Sequence, residues 1–522
     1  VRWISDMDTK NFRATAVVML SLGIAMATGF LRQSALAATL GAGRVTDIFL
    51  VAFALPEFVF VALPVILSPV VIPLFMQVRR QNGEAPAWQV ARRLAIWLLA
   101  ATLILGLAAA WAAPLLITWL SPGFDALERQ QAVAVFYWML PGLLFMGISI
   151  LAGALLQVYR HFTRPALTTA IYNLVFITCL LILPLQDPLQ RAGLGVTLGA
   201  IAALIFQLPL LVRVRAQAYR SLDITSGTIT DTPVDLRPAL ILFGWMSAGY
   251  GIHHLILFID RAMATAQGAG SAAVLNYGYH LALTVAQLSG LAVSTVLFPT
   301  LSEQIEAGDS AAARRTLSQA LGLVLALALP AGLGVIILRQ PVVQVLLEHG
   351  AFTSRDTQAV GLSLAIYTLA MIADALCQPL WRLVYTWKDG RLVLVVNSAQ
   401  TLIRLAANLI LVGVIGYNGL AVSAVIGLSI QLLILMVLAH RRLGWQISRA
   451  GWGQMIRIVL AASLAGLATF GALQGLANLQ AEPSPWFILL VGGLTLLLLY
   501  GAFLAGLLRR PLQDEERLFH WK

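Results

Sequence analysis

Six polar or charged side chains stand inside long apolar stretches of this chain: Arg32, Asp47, Glu57, Asp260, Arg261 and His280. A charge within a bilayer costs several kcal/mol, so such groups face a bundle interior or a wet cavity. Arg32 lies nine residues before Gly41, ~13 Å along a helix at 1.5 Å per residue, and Arg261 lies seven before Gly268, ~10 Å. Glu57 follows Gly43 by ~21 Å and His280 follows Gly270 by ~15 Å. One cavity lined by all four would be mostly cationic. It suits an anion such as a pyrophosphate, because the planar Arg fork pairs bidentately with phosphate oxygens. The competing structural reading pairs Arg32 with Asp47 or a carbonyl, and lets Asp260 and Arg261 neutralise each other. Asp47 opens an apolar run, where it either caps its own helix or serves an outer gate. His253 and His254 sit mid-span, where a hydrogen-bonded core role competes with proton relay.

The chain carries no catalytic constellation. There is no GxxxxGK[ST] loop, no HExxH, and no GxSxG with partners. ATP hydrolysis and resident cofactors or metals are not expected; an ion gradient, the membrane potential or the substrate gradient would supply the energy. Cys179 and Cys377 are too few and too far apart for a metal cluster.

The elements that must position these groups are membrane helices. The 522 residues are 59% hydrophobic and 11% charged, against about 25% charged in a soluble domain. Many runs exceed the ~18 residues that cross a hydrocarbon core. The first follows Arg2, Lys10 and Arg13 and reads as a helix rather than a signal peptide, being too long and lacking a suitable cleavage site. The pattern predicts an all-α polytopic membrane protein with fourteen spans. The net charge of +11 reflects basic loops that set topology, not nucleic-acid binding. Arginines collect after even-numbered spans, as at Arg79, Arg80, Arg92 and Arg93, or Arg441, Arg442 and Arg449, which puts both termini in the cytoplasm.

An internal repeat organises the spans. Gly41-Ala42-Gly43 corresponds to Gly268-Ala269-Gly270, Ser68 and Pro73 to Ser294 and Pro299, and Pro114 and Gly123 to Pro341 and Gly350, at offsets of 226–227. Each repeat holds six spans, an even number, so the halves are parallel and related by an axis along the membrane normal. The expected organisation is an N-terminal lobe (1–216), a polar cytoplasmic linker (217–237), a C-terminal lobe (238–443), and two extra helices with a tail (444–522). Pro56, Pro64, Pro69 and Pro73 crowd the second span, where prolines bend helices.

The stretch GFLRQSALAATLGAGRVTDIFLVAFALP, Gly29 to Pro56, resembles the opening motif of the MurJ/MviN family. IDRAMATAQGAGSAAVLNYGYHL, VLFPTLSEQ and LLEHGAFTSRDT are similar to its later motifs. The resemblance implies a MATE-like, V-shaped fold of the multidrug/oligosaccharidyl-lipid/polysaccharide exporter superfamily. It implies a flippase that carries lipid II, the lipid-linked peptidoglycan precursor, from inner to outer leaflet of the bacterial cytoplasmic membrane. The expected substrate-binding residues are Arg32, Arg261, His280 and Glu57, of which the resemblance itself carries over Arg32. Gly29, Gly41, Gly43, Asp47, Pro56 and Asp260 are gate or structural positions. The implied partners are a polyprenyl-pyrophosphate-linked glycan, the bilayer and cell-wall synthesis enzymes, with the chain acting as a monomer. Several family charges are replaced: Met26 and Gln33 stand beside Arg32, the second span lacks the family's Arg, and His280 replaces an Arg. Alternatives are an exporter of another polyprenyl-linked saccharide (Wzx-like), a MATE-type antiporter, or a membrane scaffold.

Overall fold

The computed structural model describes residues 9–220, 237–387, 389–479 and 483–508. Most of the expected linker, residues 221–236, and the basic tail from 509 lie outside the described residues. So does the His253 side chain.

Every apolar run forms helix, because a chain in lipid must satisfy its backbone internally. The helices are α1 (Thr9–Leu40), α2 (Arg44–Asn82), α3 (Glu84–Leu120), α4 (Ala126–Val158), α5 (Thr163–Ile182), α6 (Pro188–Arg220), α7 (Arg237–Thr265) and α8 (Ser271–Ala286). After a π-turn at Gln287–Leu291 come α9 (Ala292–Glu306), α10 (Ser310–Ile337), α11 (Arg339–Leu347) and α12 (Ser354–Thr386). The chain continues through α13 (Gly390–Ile415), α14 (Asn418–Leu443), α15 (Arg449–Leu479) and α16 (Pro485–Leu508). Among the described residues eleven helices are long and apolar enough to cross a membrane, or twelve with the bent pair α8–α9 as one span. α1 and α7, at the first and seventh expected spans, are helical but are not among these eleven or twelve. Outward-facing apolar side chains such as Trp111, 87% exposed, suit contact with lipid.

Two expected continuous spans are interrupted. Residues 271–303 form α8 and α9, joined by the π-turn, with a separate 43° bend between Ser294 and Leu297. A Cβ on Gly290 would lie 2.6 Å from the Ala375 Cα of α12. Backbone therefore meets backbone here, and the extra residue of the π-turn accommodates that approach. Residues 312–347 form α10 and α11, broken at Leu338. Pro341 sits in the first turn of α11, where its missing N–H is tolerated, and the Arg339 Nη1 donates to the Ile336 carbonyl at 3.1 Å.

The chain forms two compact units: residues 1–273 with 349–352, and residues 274–348 with 353–522. In the first, α2, α3, α4 and α6 enclose Val71, Phe75, Leu143, Leu155 and Leu156. α7, which opens the second repeat, packs on α2 and α3 within this unit. In the second, α10, α12, α13 and α14 enclose Leu317, Leu321, Leu380, Val396 and Leu435. The helices common to both repeats pair alike: α4 and α5 each pack on α6, as α12 and α13 each pack on α14. α15 and α16 meet over Ala461, Ala462, Ala465, Leu496 and Tyr500. The small residues allow close helix approach, and the Tyr500 hydroxyl donates to the Ala326 carbonyl of α10 at 2.9 Å.

Candidate functional site

Two polar clusters form within the first unit. The first lies at the start of α2. Gly41 ends α1 with φ 70°, and the Thr46 hydroxyl donates to its carbonyl at 2.6 Å. α2 begins after Gly43, whose extended backbone carries no side-chain cap. Asp47 does not cap its own helix. Its carboxylate is fully buried and reaches the turn after α7: Oδ2 accepts from the Gly270 N–H at 2.6 Å and Oδ1 from the Ala273 N–H at 2.8 Å. Asp47 thus supplies an N-terminal cap to α8 from a distant part of the chain, satisfying amides that the helix cannot. The Arg44 Nη1 lies 3.9 Å from Asp47, while its Nε pairs with Glu128 at 3.0 Å. The guanidinium lies 5.1 Å from the centre of the Phe124 ring.

The glycines here allow backbones to meet. Gly270 adopts φ 83°, and a Cβ there would lie 2.3 Å from the Ala42 carbonyl oxygen. A Cβ on Gly41 would lie 2.8 Å from the Ala351 carbonyl, and Ala351 donates its amide to Ala38 at 2.8 Å. Loop 41–43, loop 266–270 and residues 349–352 therefore form one closed backbone layer. Around Gly43 a Cβ would meet nothing within 4 Å, and at Gly29 only Asn173 at 3.8 Å. Their role is not close approach.

The second cluster lies along α1, α2, α5 and α7. The Arg261 Nη2 donates to Glu57 Oε2 at 2.9 Å, and its Nη1 donates to the Leu50 carbonyl at 2.8 Å. The competing reading of an Asp260–Arg261 pair is corrected, since the guanidinium turns to α2 instead. Asp260 is itself buried and engaged. Both side chains of the Arg261–Glu57 pair remain partly accessible, at 16% and 27%. Pro56, buried beside Glu57, lies inside α2. His254 stacks on Tyr250 with ring centres 3.9 Å apart, its Nδ1 lies 3.1 Å from the Tyr250 carbonyl, and it feels the charge of Glu57.

Arg32 lies over Phe176 of α5, 5.9 Å from the ring centre. It does not pair with Asp47, whose two oxygens are taken by Gly270 and Ala273. The Tyr172 hydroxyl is buried and lies within the fields of both Arg32 and Glu57. The Arg32 guanidinium is the side chain placed to hydrogen-bond that hydroxyl. His280, the fourth expected binding residue, belongs to the second unit, with its ring 5.6 Å from that of Tyr279. Among the described residues no three His, Cys, Asp or Glu side chains come together to hold a metal.

Sequence reasoning placed the charges but missed Tyr172, the Leu50 carbonyl and the Arg44–Glu128 pair. Tyr172 reads as one more aromatic in an apolar run, and a backbone carbonyl has no sequence signature. Arg44 is the charge nearest Asp47 in sequence and could have been singled out.

Arg32 and Arg261 are thus cations held inside the first unit, and the Asp47 bonds tie its backbone layer together. Comparison with known proteins agrees with a transporter. A probable lipid II flippase MurJ of Rhizobium tropici is 27% identical over 453 residues, covering 85% of this chain and 83% of that protein. The lipid II flippase MurJ of Burkholderia cenocepacia is 24% identical, covering 95% and 96%. Among solved structures, a lipid II flippase MurJ in an inward closed conformation matches with a TM-score of 0.76 at 20% identity, covering 95% of this chain and all of the other. An inward-facing multidrug resistance MATE family transporter matches with a TM-score of 0.62 at 14% identity, covering 82% and 98%. The family model described as lipid II flippase MurJ matches residues 36–487. With that match spanning most of its length, the chain belongs to the lipid II flippase MurJ family.

Proposed function

We propose that this chain is a flippase of the bacterial inner membrane. It carries lipid II, a polyprenyl-pyrophosphate-linked glycan, from the inner to the outer leaflet by alternating access. The observation that carries this reading is the placement of Arg32 and Arg261 inside apolar helices of one compact unit, below a backbone layer closed by Asp47. The arginines attract the pyrophosphate while the lipid tail stays in the bilayer. The Asp47 bonds part when the protein opens outward. The two repeats, 1–216 and 238–443, move as lobes. α15 and α16 border the lipid tail. Both termini face the cytoplasm, as the basic loops favour. The chain works as a monomer, supplied by cell-wall synthesis enzymes and driven by an ion gradient or the membrane potential.

Expression in a strain depleted of its own lipid II flippase tests this. Wild type is expected to restore growth and the Arg32→Ala variant to fail. Failure of a normally expressed wild type overturns the lipid II assignment. Met26 and Gln33, in place of family charges, favour a second reading: export of a different polyprenyl-linked saccharide. Rescue of a strain lacking such an exporter, without rescue of the lipid II strain, would select it.

A further inference from the structure

Asp374 stands well inside α12, in the second unit, with no cation beside it. It lies ~30 Å along the helix from Ser354 and ~18 Å from Thr386. Its Oδ2 accepts from the Gln378 Nε2, one turn on, at 3.2 Å. Among the described residues no other donor reaches the carboxylate and no charged side chain acts on it. The other acids inside apolar helices are compensated: Asp47 by two amides and Arg44, Glu57 by Arg261. Asp260 is engaged as well. A lone ionised carboxylate in an apolar span is costly, and acids kept there commonly carry protons.

We infer that Asp374 is a proton-binding site: its carboxylate takes one proton from water on Oδ1 and gives it back in the course of transport. The inference deepens the proposed ion-driven flippase, on which it rests, by naming the ion. Protonation forms one O–H bond, breaks none in the protein and neutralises the span; release returns the same proton to water. Gln378 occupies Oδ2 and leaves Oδ1 open, and the residue keeps some exposure to solvent. A proton needs a single lone pair. An alkali cation needs several oxygens, and Gln378 presents an N–H here. One residue on, Ala375 meets Gly290 of the π-turn backbone to backbone. The site therefore adjoins an irregular turn of the kind found at functional sites.

The helices around Asp374 supply no substitute charge. α12 packs on α9, α10, α11, α14 and the π-turn. Their charged side chains stand near helix ends: Glu303 and Glu306 on α9, Arg314 and Arg315 on α10, Arg339 on α11, and His440, Arg441 and Arg442 on α14. The π-turn carries none. From α8, where Gly278 abuts Ser363 of α12, come Tyr277, Tyr279 and His280, with the Tyr279 ring on that of Tyr367. On α12 itself Arg382 lies ~12 Å further along, over Phe298, with Tyr385 beyond it.

Cys377, three residues after Asp374, is a built-in reporter. Its buried thiol lies in the field of Asp374 and donates to the Leu428 carbonyl at 3.9 Å. The S–H stretch falls in an infrared window clear of other protein bands and shifts with a nearby charge. Cys179→Ala leaves Cys377 as the only thiol and serves as the parent. The purified full chain in nanodiscs is titrated between pH 4 and pH 9. The parent is expected to show a single one-proton step in the S–H frequency, and Asp374→Asn none. Asp374→Glu is expected to keep a step, which guards against a misfolded variant. No step in the parent, or a step that persists in Asp374→Asn, overturns the site. A shift driven by sodium at constant pH, in place of the pH step, identifies an alkali cation and overturns it too. Flipping of fluorescent lipid II in proteoliposomes then tests coupling, with a gradient of one pH unit imposed in each direction in turn. In one direction the parent is expected to gain up to about tenfold, the full value of one proton, and Asp374→Asn to lose that gain. No gain in the parent overturns the coupling. No flipping by the parent at all overturns the lipid II reading instead, and the infrared step still decides the proton site.

Discussion

The Asp47 carboxylate accepts the Gly270 amide at 2.6 Å across 223 residues of sequence. The same side chain takes the Ala273 amide and lies 3.9 Å from Arg44. A single buried acid therefore holds the first turn of α8 to the first turn of α2. Charged hydrogen bonds of this kind are worth about 1.5–3 kcal/mol each, and more is lost when one partner is left buried and unpaired.

Asp47→Asn keeps the shape but turns an acceptor into an N–H donor facing an N–H. The expected result is a closed layer weakened by about 2–3 kcal/mol, or roughly a 30- to 150-fold shift towards opening. A cysteine placed at Ala42 should react faster with a thiol reagent in the Asp47→Asn background. Unchanged labelling would show that the layer does not depend on this acid.

Gly270→Ala and Gly43→Ala should separate cleanly. At Gly270 the new Cβ meets the Ala42 carbonyl at 2.3 Å and the backbone stays at φ 83°, a conformation costing about 1–2 kcal/mol before any clash. At Gly43, with φ −104° and open space, alanine should be nearly neutral. Thermal unfolding in detergent should show a clear loss for the first and almost none for the second.

Gly290→Ala tests the π-turn. Its Cβ would fall 2.6 Å from Ala375 Cα and 2.7 Å from the Ala375 carbonyl oxygen, both backbone atoms of α12. Overpacking of this sort costs about 1–3 kcal/mol. A lower melting temperature together with reduced transport is expected; Gly413→Ala, in open space on α13, serves as the neutral control.

The Asp389–Arg442 pair at the ends of α13 and α14 gives a pH dependence. Asp389 accepts from Arg442 Nη2 at 2.8 Å and from the Leu392 amide at 3.2 Å. The Arg442 hydrogen bond, helped by Leu392, holds the Asp389 carboxyl below the usual carboxylate range. A carboxyl depressed in the folded state adds stability above its unfolded pKa of ~3.9, and this is lost as pH falls through the folded value. Melting temperatures between pH 6 and pH 3 should fall less steeply for Asp389→Asn than for wild type. High salt should narrow the difference, because the pair is partly exposed.

Helix positions were legible because hydropathy over ~20 residues is a local property and lipid leaves the backbone few options. The repeat was legible for the same reason, since Gly41 and Gly268, or Pro73 and Pro299, keep one spacing along the chain. Sequence alone also determined which charges stand inside apolar helices, Arg32, Glu57 and Arg261 among them. Tertiary structure decided their partners, because partnership depends on which faces of distant helices meet. Glu57 rather than Asp260 holds Arg261 although it is 204 residues away, and the Leu50 carbonyl that shares the guanidinium leaves no trace in residue type. Asp47 looked equally able to cap α2 or to act elsewhere. Only the approach of the Gly270 backbone, possible because no Cβ stands between it and Ala42, gave its carboxylate the amides of α8.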